Sequence, residues 1–173
     1  MPLRKNDGMA DDERIDPPYE TDERTMLVAW LEYHRATLAT KCAGLTPDQL
    51  RLRSVPPSNL SLLGLVRHMA EVENNWFRYW LAGDGPVTRW EGDEDFAVDG
   101  ADAQEAFDYW RQECANARDV LARFDSLDDV GAEQAVGAGI SVRWTLVHMI
   151  EEYARHNGHA DLLRERIDGV TGD

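Results

Sequence analysis

Apolar positions recur every three or four residues over most of this chain, the period of helices with one buried face. From about Thr21, residues Leu27, Trp30, Leu31, His34 and Leu38 share one stripe and predict a first helix ending near Gly44. Thr46-Pro47-Asp48-Gln49 is a capping box with proline at the first helical position, and Pro56-Pro57 confines the element it opens to a short turn. Ser61 is the expected N-cap of a second long helix, striped by Leu62, Leu65, Met69, Val72, Trp76 and Trp80. Gly83-Asp84-Gly85-Pro86 stops it. A third helix is expected from about Asp102 to Phe124, with Phe107, Trp110, Cys114, Ala117 and Leu121 inward. The last begins near Ser141 and carries Val142, Thr145, Leu146, Met149, Tyr153 and His156, then Ala160 and Leu163, to Ile167.

The segments between these helices lack a period. Pro86 to Gly100 is rich in acids and reads as a long surface crossover. Gly131, Gly137 and Gly139 read as a loose connection, with no phosphate-cradling GxGxxG spacing and no strand signal. The expected fold is therefore all-α, a four-helix bundle with a long crossover between the second and third helices. Residues 1–20 are polar and rich in charge, a flexible arm ahead of a bundle domain over 21–170.

Composition narrows the function classes. A length of 173 residues fits one domain with a real core, and 43% hydrophobic residues, including six tryptophans, mark a globular chain. Acidic side chains number 33 against 18 basic, and the formal net charge of −15 sets up a field that repels phosphate. That argues against general binding to nucleic acid or an anionic membrane. The N-terminus lacks a secretory apolar run and no stretch is long enough to span a bilayer, so a cytoplasmic protein is expected. Cys42 and Cys114 have no metal-ligand spacing and read as two buried free thiols.

The chemistry concentrates in the last helix, where three of the five histidines lie between His148 and His159. Glu152 and His156, four residues apart, stack on one helix face and aim at one point, two-thirds of a protein site for a divalent metal. On a helical wheel His156 falls inside the apolar stripe and Glu152 at its border, with His148 and His159 farther toward solvent. A hydrogen-bonded Glu–His pair or a solvated edge would explain the same spacing. His68, on the flank of the second helix, is the best third ligand, although a lone histidine there also suits a boundary position. Glu73 sits near the centre of that helix's stripe. A buried acid needs a partner, so Glu73 accepts a hydrogen bond that orients a ligand histidine, carries a proton, or forms half of an internal salt bridge. His34 lines the same pocket or is a core histidine with a backbone hydrogen bond.

The segments Ser61-Leu-Leu-Gly-Leu-Val-Arg-His68-Met-Ala-Glu-Val-Glu73 and Glu152-Tyr-Ala-Arg-His156-Asn-Gly-His159, followed by Ala160-Asp-Leu-Leu-Arg164, resemble the DinB-like superfamily, which includes the YfiT-like proteins. The resemblance covers the chain from about Thr21 to Ile167. Most members carry three metal-binding histidines, one in the second helix and a His-x-x-x-His in the last. Glu152 replaces the first of that pair here, which is similar to the mycothiol-dependent maleylpyruvate isomerase branch. Carried over by position, the resemblance implies His68, Glu152 and His156 as ligands to a divalent metal, zinc or else nickel. It implies transfer or isomerisation with a low-molecular-weight thiol, mycothiol or a similar one, on a small-molecule electrophile, and favours a homodimer. A metal-dependent hydrolase and a non-enzymatic, stress-associated metal-binding protein are the competing readings.

Overall fold

The computed structural model describes residues 14–85, 88–135 and 138–171. Its elements are α1 (Glu23–Cys42), α2 (Pro47–Arg51), α3 (Leu62–Glu73), α4 (Ala103–Leu121), β1 (Val130–Ala135), β2 (Ala138–Ser141) and α5 (Val142–Asp168). Helix starts follow the sequence closely because each has a side-chain acceptor for an otherwise unpaired backbone N–H. Asp22 accepts from Thr25 N, Ser61 from Gly64 N, Asp102 from Gln104 N and Ser141 from Trp144 N. Thr46 and Gln49 form the reciprocal capping box. The first part of the expected arm, residues 1–13, lies outside the described residues.

Cross-helix contacts set the directions. Arg143 meets Glu23, Asn157 donates to His34 O and Arg164 to Lys41 O, so α1 and α5 run the same way. Asn74 donates to Tyr109 Oη and Arg78 to Glu113, so α3 and α4 also run together. His68 faces His156 while Trp76 faces His148, which makes α3 and α5 antiparallel. Parallel neighbours cannot be joined by a tight turn, and the long passage from α3 to α4 follows from that geometry. Leu31, Leu38, Leu65, Met69, Phe77, Leu146 and Met149 are among the fully buried side chains between the helices. Each such burial stabilises the fold by about 1.5–3 kcal/mol.

Four expectations need correction. The second helix is not α-helical throughout: from Asn74 to Ala82 it widens into a π-helix, closed by Gly83 at φ 74°. The stripe of α1 is rotated, with Arg35 buried and Trp30 exposed, because a buried carboxylate on α3 draws the arginine inward. The crossover is only partly surface: a 3-10 turn at Glu94–Phe96 packs on α3, and Asp95 and Val98 are buried. Arg67 holds it by donating to the carbonyls of Glu94 and Ala97, 2.9 and 2.7 Å away. Finally, the glycine-rich connection contains an antiparallel hairpin, with Val130 opposite Ser141 and Gln134 opposite Gly139. Its strands carry too few large apolar residues for a period of two to show. Gly131 is there for closeness, since a Cβ would collide with the carbonyl oxygen of Trp80. No described helix is long and apolar enough to cross a membrane.

Candidate metal centre

His68 and Glu152 reach one crevice from antiparallel helices, and His156 enters it one turn after Glu152. Ligand-capable atoms of the three lie within 4.8 Å of one another. The Nε2 of His156 is 3.5 Å from Glu152 Oε2, and the imidazoles of His68 and His156 meet edge to face with centroids 4.7 Å apart. Side-chain exposures of 25% for His68, 14% for Glu152 and 11% for His156 describe a recessed site that solvent still reaches. These separations are close enough for rotamer adjustment to bring two nitrogens and one oxygen onto an ion with bonds of about 2.0–2.2 Å.

Neighbours fix both histidines. His68 Nδ1 lies 2.8 Å from Asp95 Oδ2, and Phe96 stacks on the His68 ring at 5.0 Å. The carboxylate therefore occupies the Nδ1 side and leaves Nε2 as the free nitrogen, the usual way a ligand histidine is oriented. His156 Nδ1 lies 3.3 Å from His159 Nδ1. Burial, with the nearby His68, His159 and Arg155, pushes the His156 imidazole down to about 4, so it is the neutral, lone-pair form at neutral pH. Both features suit ligation, which requires an unprotonated nitrogen.

The other candidates lie elsewhere. Glu73 is fully buried in the bundle core, where Arg35 donates to both of its oxygens, Nε to Oε1 at 2.7 Å and Nη2 to Oε2 at 2.5 Å. Tyr153 Oη donates to Oε1 at 2.7 Å and the Cys114 thiol lies 3.6 Å from it. Glu73 thus takes the internal salt-bridge arrangement, and Asp95 occupies the acceptor place beside His68. Burial opposes the Arg35 charge, but Glu73 overrides it and holds the guanidinium's pKa well above its usual value. The cysteines are free and buried, and burial pushes Cys42 up to about 12, so its thiol stays protonated. His34 contacts Trp30 and Asn157 rather than the crevice. His148 stands 3.7 Å from Glu152 Oε1 and, with Glu151 and Glu152, forms a second group of ligand-capable atoms. Arg155 already pairs with both of those acids.

Sequence reasoning missed Asp95, Phe96 and the contact of His159 with His156. Asp95 is one acid among several in a segment without a period, so spacing could not single it out. His159 lies three residues after His156, and that i,i+3 neighbourhood was the available signal.

The mycothiol-S-transferase family profile matches residues 26–169, a span that includes His68, Asp95, Glu152 and His156. No curated protein matches the chain significantly. A crystal structure of a conserved protein from Enterococcus faecalis is similar over 87% of this chain and 100% of its own, with a TM-score of 0.62 and 19% identity. That likeness is one of fold.

Proposed function

We infer, from the premise that the chain belongs to the mycothiol-S-transferase family, that it transfers a low-molecular-weight thiol of the mycothiol type to an electrophilic carbon. The observation that supports a metal-dependent form of this reaction is the convergence of His68, Glu152 and His156 in one crevice. Two neutral imidazoles and a carboxylate are a donor set that suits zinc, with nickel as the alternative, and leaves a coordination place for substrate. A divalent ion held there supplies a positive centre that favours the ionised, nucleophilic form of a coordinated thiol.

The chain's own groups do the rest. Asp95 orients His68, and His159 accompanies the far side of His156, so the crevice needs little rearrangement to act. Glu152 brings a negative charge into the ligand set, which makes the centre less acidic than three neutral histidines would. Phe96 covers one face of His68 and limits water there. Glu73 is assigned a positioning role: through Arg35 and Tyr153 it ties α1 and α5 to α3 one turn before His156. The thiol sulfur forms the new bond to carbon, the leaving group departs with its electron pair, and the thiol proton passes to solvent.

The test is conjugation of mycothiol with 1-chloro-2,4-dinitrobenzene, followed by chloride release, on zinc-loaded full-length protein. The expected result is a rate well above that of the thiol alone, lost on chelation and restored by zinc. A rate equal to the uncatalysed one in protein carrying stoichiometric zinc would contradict the transferase reading.

A further inference from the structure

The metal crevice continues along the bundle as two facing rows of side chains. On α5, Trp144, His148, Glu152 and His156 are spaced by four residues. On α3 and the π-helical turn after it, His68, Val72, Trp76 and Trp80 repeat the same interval. Because the helices are antiparallel, the metal-ligating ends meet at one level and the aromatic ends at another. The Trp76 ring lies 4.4 Å from His148 and 5.0 Å from Trp144, and the Trp144 and His148 rings stack at 4.8 Å with only 15° between their planes. Trp80 extends the row, stacked on Trp76 at 6.1 Å. This aromatic wall adjoins the crevice, since His148 Nε2 is 3.7 Å from Glu152.

The wall is open where a core would be closed. Trp144 is 47% exposed and its neighbour Val147 51%, whereas the same helix buries Met149 and Tyr153 completely. The wall also sits where the backbone departs from the α-helix, at the π-helical segment that carries Trp76 and Trp80. Such π segments are frequent at functional sites. Where the wall meets the crevice, Glu151 and Glu152 of α5 are both paired with Arg155. Flat aromatic faces recognise flat apolar partners.

We propose that Trp76, Trp144 and His148 form the subsite for the electrophilic co-substrate, and that this co-substrate is a planar aromatic compound. The proposal rests on the transferase reading for the word co-substrate and on the aromatic wall for the ligand class. It places the acceptor carbon beside the thiol by stacking rather than by ion pairing. For a halogenated aromatic acceptor, sulfur bonds to the ring carbon that carries the halogen, the carbon–halogen bond breaks to release halide, and the thiol proton goes to solvent.

Binding of the unreactive probe 1,3-dinitrobenzene to zinc-loaded full-length protein tests this without turnover, with Kd from calorimetry and the site from the indole N–H resonances of Trp76 and Trp144. The expected result is binding that shifts both resonances, weakens about tenfold or more in Trp144→Ala, and recovers in Trp144→Phe. Unchanged affinity in Trp144→Ala, or indole shifts produced by raising protein concentration alone, would overturn the proposal. The last of these would mark the wall as a contact between two copies. Stacking of the probe with no conjugation of 1-chloro-2,4-dinitrobenzene would support the ligand class and count against the transferase reading. Conjugation unaffected by Trp144→Ala would do the opposite.

Discussion

Replacing His156 by alanine is expected to abolish retention of zinc, because the ligand set loses its most buried imidazole and only His68 and Glu152 remain. The effect should exceed the roughly 10–100-fold loss that follows removal of an outer partner of a ligand. Asp95→Asn and His159→Ala are such outer changes, since Asp95 meets Nδ1 of His68 and His159 meets Nδ1 of His156. Their zinc affinities, read by competition with a chromophoric chelator, should fall by about 10–100-fold or less. Losses for His159→Ala equal to those for His156→Ala would mean that the roles of the two histidines are misassigned.

The second large effect is on stability. Glu73→Ala leaves Nε and Nη2 of the buried Arg35 guanidinium and the Tyr153 hydroxyl without their acceptor, while Arg35 Nη1 keeps only its 2.7 Å contact with Glu32 at the edge of the core. Breaking one side of a buried pair costs about 3–5 kcal/mol. In a domain of this size that corresponds to a fall in Tm of roughly 6–20 °C. The combined variant Glu73→Leu with Arg35→Met should recover most of the loss, because neither charge is then buried alone. Thermal unfolding by circular dichroism measures both. A Glu73→Ala variant with wild-type Tm would remove the clamp assigned to this group, and loss of zinc binding in the folded variant would place Glu73 closer to the ion than its contacts indicate.

Much of this architecture was legible because its signals are local. Ser61, Asp102 and Ser141 cap the helices that their positions predicted, and the meeting of His68, Glu152 and His156 follows from an i,i+4 pair plus one histidine on a facing helix. What escaped depends on partners far apart in sequence. Arg35 reads as a surface residue of an amphipathic helix until Glu73 appears opposite it, thirty-eight positions away. Asp95 reads as one more acid until the crossover folds back onto α3. The hairpin after α4 lacks alternating apolar residues, since Gly131 serves close approach to Trp80 and buries no side chain of its own. The π-helical turn likewise leaves no mark in a period that tolerates three or four residues between apolar positions.

The central claim is that two imidazoles and one carboxylate share a single ion with room for a thiol. X-ray absorption at the zinc edge, on the reconstituted chain with and without mycothiol, tests it most directly. The account predicts nitrogen and oxygen neighbours at about 2.0–2.2 Å in the absence of thiol and one added sulfur at about 2.3 Å in its presence. A spectrum unchanged by mycothiol, with four nitrogen or oxygen ligands already supplied by the protein, would contradict it.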